Sequence, residues 1–420
     1  MARDWKQTRL AEVCNFQNGF AFKNSDYVEE GDGAFEIFRM GHILRGGGFN
    51  PDGKKALVPQ EQAQKLGRFL LNEGDILMCM TDMKSSMALL GHTARMPVSG
   101  RYLVNQRVGR ITVKKPDVLD QRFLYYYSNS PDYIDWLRSH ANSGVQVNLS
   151  TEAILNSPIS FPPLPVQRRI AGILSAYDEL MENSQRRIRI LEAMARALYR
   201  EWFVHFRFPG HEKHPRVASR LGDIPQGWEV TTFGELYNTG SGGTPSRARP
   251  EYFEDGTIDW VKSQELLDGF VLSTEERITE RALKESSAKL FPANAVLIAL
   301  YGATIGKLAI LSRAAATNQA CCAVLPKRPS FGREFAFLTL LLNRERIIGL
   351  RLGAAQQNIS QVLLRNFECL KPADELVRRF SEQTAPFFDG ILTLQRQIQN
   401  LRRTRDLLLP RLLSGQVNVS

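Results

Sequence analysis

No apolar run in these 420 residues approaches the roughly 20 that a membrane-spanning helix needs. The opening Met-Ala-Arg-Asp-Trp-Lys lacks the apolar core of a signal peptide, so a cytoplasmic location without a membrane partner is expected. Cysteine is sparse. Cys14, Cys79, Cys321, Cys322 and Cys369 are odd in number and form no Cys-x-x-Cys pair, so they read as small buried hydrophobes in a reducing compartment. His211 and His214 make a lone His-x-x-His with no further ligand cluster, which reads as a solvated linker and predicts no metal.

Catalytic signatures are missing too. Gly302-Ala-Thr-Ile-Gly306-Lys307 is one residue short of a phosphate-binding loop, and Leu308 follows where Ser or Thr should hold magnesium. It reads as a glycine turn between strands. Gly240-Ser241-Gly242-Gly243-Thr244-Pro245 is glycine-rich, but Pro245 blocks the direct step into a helix that a dinucleotide fingerprint needs. There is no methyltransferase-type Asp/Asn-Pro-Pro-Tyr/Phe, no paired-carboxylate nuclease signature and no His-Glu-x-x-His. The expectation is a non-catalytic chain with no cofactor of its own.

What the chain does have is one stretch twice. Gln146, Asn148, Ser150, Asn156, Pro162, Arg168, Arg169, Gln185, Arg186, Ile188, Leu191 and Leu198 recur as Gln356, Asn358, Ser360, Asn366, Pro372, Arg378, Arg379, Gln395, Arg396, Ile398, Leu401 and Leu408. The interval is always 210 residues, as from Asn148 to Asn358, with no insertion or deletion. Unrelated segments of this length would share roughly three identities at average residue usage. The openings of two globular segments also match: Trp5, Thr8, Glu12, Asn15 and Gly19 with Trp228, Thr231, Glu235, Asn238 and Gly242, at an interval of 223. Asn105-Gln106 matches Asn318-Gln319 at 213, so the globular parts gained or lost loops while the repeated stretch kept its length. Such self-similarity is an internal duplication.

Within the first copy, Ile188, Leu191, Ala195, Leu198 and Trp202 fall at 3–4 spacing on one face of a helix that is otherwise rich in Arg and Glu. Its register is that of a coiled-coil seam. A helix from about 165 to 205 would be on the order of 60 Å long, at roughly 1.5 Å per residue, which makes it a strut. The second copy keeps Leu394, Ile398, Leu401, Leu408 and Leu412 on the seam, but Arg405 stands where the first has Ala195. Pro386 and Gly390 predict a kink. Each strut needs something to cover its seam, and its own duplicate is the obvious partner.

The implied fold class is α/β (α+β). Residues 1–163 form one mixed domain, with strands at 76–80 and 108–113 and a helix over 121–138. A central helix takes 164–206, a linker 207–225, a second domain 226–372 and a C-terminal helix 373–415. A net charge of +10 and a pI near 9.4 point to a polyanionic partner. Loops combining amide, hydroxyl and basic side chains are the candidate contacts, because base edges are read by Arg, Lys, Asn and Gln while phosphates take Lys, Arg, Ser and Thr. In the first domain these are Lys84, Ser85, Ser86, Asn105, Gln106, Arg107, Gln146 and Asn148. In the second they are Ser241, Thr244, Ser246, Arg247, Arg249, Tyr301, Thr304, Lys307, Asn318, Gln319, Gln356, Gln357 and Asn358. Asn148 and Asn358, identical in both halves, admit a turn or cap role as well as a phosphate contact. Lys84 and Arg247 differ between the halves, as residues reading different sequences must.

The run Leu191-Glu-Ala-Met-Ala-Arg-Ala-Leu-Tyr-Arg-Glu-Trp-Phe-Val-His-Phe-Arg-Phe-Pro-Gly-His211 resembles the central conserved region of the specificity (S) subunit of type I restriction–modification enzymes. Pro162-Pro-Leu-Pro-Val-Gln167 and Ser241-Gly-Gly-Thr-Pro-Ser246 are similar to that family as well. The resemblance implies two target-recognition domains in a pseudo-twofold arrangement, separated by two long antiparallel coiled-coil helices. Each domain would read one half of a split double-stranded DNA target. It further implies two modification (methyltransferase) subunits that carry S-adenosylmethionine and dock on the helices, around Arg186, Ile188, Leu191, Leu198, Trp202, Arg396, Ile398, Leu401 and Leu408. Room remains for two restriction/motor subunits. From the residues alone, a stand-alone methyltransferase or nuclease and a coiled-coil adaptor that binds no DNA stay open as alternatives.

Overall fold

In the computed structural model, which describes residues 5–29, 33–142, 144–350, 358–417 and 419, the apolar run at 76–80 is a strand, Ile76–Cys79, buried on both faces. Ile76 and Met78 enter one core, and Leu77 and Cys79 another. Val296–Ala299 does the same in the duplicate: Val296 and Ile298 face one core, Leu297 and Ala299 the other. A strand covered on both sides reads as a continuous apolar run rather than an alternating one.

The chain forms two compact units, Met1–Leu180 with Leu401–Ser420, and Met181–Asn400. In the first, Lys6–Arg9 pairs antiparallel with Pro158–Phe161. Cys14–Asn18, Val108–Val113, Ile76–Cys79 and Thr93–Arg95 then form a four-stranded antiparallel sheet in that order. Leu57–Val58, Phe35–Phe38 and Tyr102–Val104 make a second sheet, and Thr81–Met83 pairs with Gln146–Asn148. The second unit repeats the plan. Glu229–Thr232 pairs antiparallel with Glu368–Lys371, and Tyr237–Ser241, Cys321–Pro326, Val296–Ala299, Leu308–Leu311 and Gly269–Val271 form a five-stranded sheet. Its other sheet runs Arg277–Ile278, Ile258–Val261, Ala315–Thr317 and Leu290–Phe291.

The expected single helix over 121–138 is two helices, Gln121–Ser128 and Pro131–Ser139. Asp120 caps the first by accepting from the Phe123 amide, and Pro131 opens the second at a position where its missing N–H costs nothing. Phe123, Leu124 and Tyr126 share a core with Ile170, Ala171, Leu174, Leu412 and Leu413, so both long helices pack against this unit.

Those helices are Leu164–Tyr199, continued by a wider turn at Arg200–Val204, and Asp374–Leu413. They begin 210 residues apart, as do the helices Thr151–Asn156 and Gln361–Asn366 before them. Each long helix has residues in both units. Within the second unit they run antiparallel, with Tyr199 against Phe380 (ring centroids 5.9 Å) and Leu191 beside Gly390. Within the first, Arg405 meets Asp178 at 2.6 Å.

Neither Pro386 nor Gly390 ends the second helix. The helix is unbroken through Pro386, which lies on the exposed face, as does Glu382, whose carbonyl loses its amide partner there. Gly390 is a contact point rather than an interruption: a Cβ there would stand 3.2 Å from Leu191 Cδ1. The connector 207–225 is also less solvated than expected. Phe208 is buried and stacks on Trp228 at 5.6 Å, and Arg216–Val217 pairs with Ile224–Pro225.

Candidate nucleic-acid interface

Each unit gathers its candidate residues where three backbone segments meet. In the first, the Met80 amide donates to the Arg107 carbonyl at 3.0 Å, and the Leu149 amide donates to the Met80 carbonyl at 2.8 Å. This brings the end of Ile76–Cys79, the turn at 105–107 and the strand Gln146–Asn148 to one edge. The Lys84 amide donates to the Val145 carbonyl at 3.0 Å, adding the turn at 84–86. Lys84, Ser85, Ser86, Gln106, Arg107 and Gln146 are exposed there.

Asn105 and Asn148 are placed differently. Asn105 is buried and its Oδ1 accepts from the Arg107 amide at 3.3 Å, holding the turn. Asn148 Oδ1 accepts from the Thr81 hydroxyl at 2.6 Å, and the Asn148 amide donates to Asn142 Oδ1 at 2.9 Å. These bonds give Asn148 a turn-building role. Two residues on, Ser150 caps the next helix by accepting from the Ala153 amide, and Ser360 does so in the copy by accepting from the Leu363 amide.

The second edge repeats the frame. The Leu300 amide donates to the Ala320 carbonyl and the Ile359 amide to the Leu300 carbonyl, each at 2.8 Å, and Tyr301 bridges Asn358. Around it sit Ser241, which accepts from Gln361 Nε2 at 2.7 Å, and Thr244, whose hydroxyl bonds Gln319. Burial pushes the Tyr301 phenol up, opposed by its bond to Gln319, so it stays a neutral donor at physiological pH. Asn318 Oδ1 is buried with no hydrogen-bond partner among the described residues. Gln356 and Gln357 lie outside the described residues.

The basic candidates of the second unit are already engaged. Arg247 lies over Phe253 (4.3 Å) and Trp260 (5.4 Å) and pairs with Glu276 at 2.6 Å. Its hydrogen bond is the main reason the Glu276 carboxyl is held below its usual range. Arg249 pairs with Glu285 at 3.0 Å, and Lys307 with Asp268 at 3.1 Å. Thr304 and Lys307 close the turn between Val296–Ala299 and Leu308–Leu311, as read from its glycines; Gly302 and Gly306 have φ of 80° and 78°. Ser246 is exposed, and its carbonyl accepts from the Arg249 amide.

Two apolar residues that the sequence reading did not name stand among these polar groups. Met83 and Val145 are 52% and 81% exposed on the first edge, beside Lys84 and Gln146. An apolar residue inside an otherwise polar turn was the available signal, since such groups can meet a thymine methyl.

The helix positions divide. Ile188 and Trp202 are buried in the second unit's core, where Leu191, Leu198 and Ile398 pack against it, and Leu408 packs in the first. Leu401 is half-buried, while Arg186 and Arg396 are exposed. The seam is therefore covered within the chain, and other exposed apolar side chains remain on the helices: Leu180, Ile190, Met194 and Leu407. All five cysteines are free and buried, and burial pushes each thiol up to about 12. Among the described residues no group of His, Cys, Asp and Glu could hold a metal ion, and no helix is long and apolar enough to cross a membrane.

The sequence matches the type I restriction modification DNA specificity domain over residues 2–193 and again over 225–375. It is 25% identical to the MjaIX specificity subunit of Methanocaldococcus jannaschii, over 81% of this chain and 78% of that one. It is 22% identical to the HindI specificity subunit of Haemophilus influenzae, over 99% of this chain and 100% of that one. The crystal structure of a type I restriction–modification S subunit from M. genitalium shares the fold, with a TM-score of 0.60 at 15% identity over 98% of this chain and 97% of that chain. With two matches spanning most of its length, the chain belongs to the type I restriction–modification DNA specificity family, as a specificity subunit that serves DNA target recognition.

Proposed function

We propose that the two units read the two halves of one split DNA sequence, and that the chain positions partner enzymes while doing no chemistry itself. The observation that carries this is the repeated edge: the same three backbone junctions stand in each unit under different side chains, Thr81 and Arg107 in one, Tyr301 and Ala320 in the other. A shared frame with unlike projections suits two readers of different bases. The excess of +10 charges supplies the attraction to phosphates, and such binding weakens steeply with salt.

On this reading the helix length sets the gap between half-sites. The exposed Ile190, Met194 and Leu407 offer docking points for two modification subunits, which would bring S-adenosylmethionine and flip an adenine out of the duplex to reach it. Two restriction subunits would complete a cutting complex. Mapping methylated bases in cells tests the reading. One extra turn, about four residues, inserted in both helices after Leu180 and after Asn400, should lengthen the gap and leave both half-sites unchanged. Altered half-sites would overturn it, as would methyl transfer by the purified chain alone.

A further inference from the structure

At one pair of duplicated positions the two long helices differ by an ion pair that reaches from one helix to the other. In the first unit Arg405 meets Asp178 at 2.6 Å and Asp406 at 2.8 Å, and Asp178 also accepts from the Tyr126 hydroxyl at 2.7 Å. Arg405 is only 15% exposed. The residues 210 positions away are Phe388 for Asp178 and Ala195 for Arg405. Both are buried in the second unit, where they line a cavity of about 220 Å³ together with Phe337 and Leu338. One unit thus closes this level of the seam with a cation and an anion, and the other with a large and a small apolar group. Ile188 and Ile398, Leu191 and Leu401, and Leu198 and Leu408 are like residues in the two copies, and where buried positions differ elsewhere, as at Gln167 and Val377, Leu174 and Thr384, or Ser184 and Leu394, neither residue is charged.

We propose that this pair is a matching code, by which the first half of the chain accepts the second half as its helix partner and rejects another copy of itself. The duplication makes the alternative real, because an antiparallel helix can pair with its own copy in the same register. In such a pair of first halves, Asp178 would face the Ala195 of the other copy at both ends, leaving two partly buried carboxylates without a cation. In a pair of second halves, Phe388 would face Arg405 twice, with no carboxylate from the opposite helix. Only unlike halves place charge opposite charge and an apolar residue at the level of an apolar one. Removing one member of a buried ion pair is strongly unfavourable, and the asymmetry should favour unlike over like pairing by about a hundredfold or more.

The test uses the full chain, folded and then cut at a protease site introduced in the exposed part of the connector at 211–221. Differently tagged samples are mixed, dissociated and allowed to re-form, and the pairs are weighed by native mass spectrometry. The wild-type halves should return only as unlike pairs. A first half carrying Asp178→Arg should be refused by the wild-type second half and accepted by one carrying Arg405→Asp. In the doubly substituted chain Asp178→Phe with Arg405→Ala, like pairs should appear in roughly statistical amounts. Statistical pairing of the wild-type halves would overturn the proposal, as would indifference to the charge exchange. The charge-exchange arm decides the matter even if the apolar variant fails to fold.

Discussion

The candidate edges of the two units share their backbone and differ in how their charge is held. Arg107 on the first edge is exposed with no ion pair among the described residues, whereas on the second Arg247, Arg249 and Lys307 are matched by Glu276, Glu285 and Asp268. A phosphate can pair with Arg107 directly, but must displace a carboxylate to reach Arg247. Exposed ion pairs are worth little individually, so the displacement is feasible. Under the proposed function this would make binding selective, because the second edge gains charge only when a ligand takes the arginine from its acid. Duplication has preserved what builds the edge and released what projects from it.

The largest effects should come from the parts held in common. Gly19 and Gly242 are equivalent, and a Cβ at each would fall 2.1 Å from the Asn105 carbonyl oxygen and 1.9 Å from that of Thr317. Gly19→Ala and Gly242→Ala should each destabilise their own unit by about 3 kcal/mol, read by thermal unfolding followed with hydrogen exchange. A neutral result in one unit alone would break the equivalence. Next comes the contrast in charge. Arg107→Ala should weaken DNA binding about tenfold at moderate salt and lower the salt slope by about one, measured by anisotropy titrations across a salt series. Glu276→Gln should instead strengthen it by releasing Arg247; a loss of affinity would show that the acid itself contributes to recognition. The smallest effect should be the caps. Ser150→Ala and Ser360→Ala each remove one bond to a helix amide, at about 1 kcal/mol apiece, and the two losses should agree.

The repeat was legible in the sequence because backbone needs recur with it. Ser150 and Ser360 cap equivalent helices, and the long helices start at Leu164 and Asp374. The glycine turn at 302–307 and the buried cysteines were legible for similar reasons of conformation and size. What was not legible depended on which way a residue faces. Pro386 costs a helix less where the carbonyl it frees can reach water, and here it lies on the exposed side. Gly390 looked like a weak point, yet it admits Leu191. Arg405 looked like a flaw in the seam until Asp178, 227 residues earlier in the chain, was found opposite it. Among the candidate contacts, residue type pointed to loops that share an edge but could not tell exposed Gln106 from buried Asn105, nor foresee that Glu276 already holds Arg247.

One pairing reaches further than stability. The first strand of each globular segment lies antiparallel to the last, Lys6 opposite Phe161 and Glu229 opposite Lys371. Everything between them leaves and returns through a doorway only two strands wide. A foreign sequence framed by the same two strands could be grafted there with just two splice points, both within hydrogen-bonded backbone that accepts most side chains. If each segment reads one half-site as proposed, such an architecture would let a lineage trade one reading head for another in a single recombination.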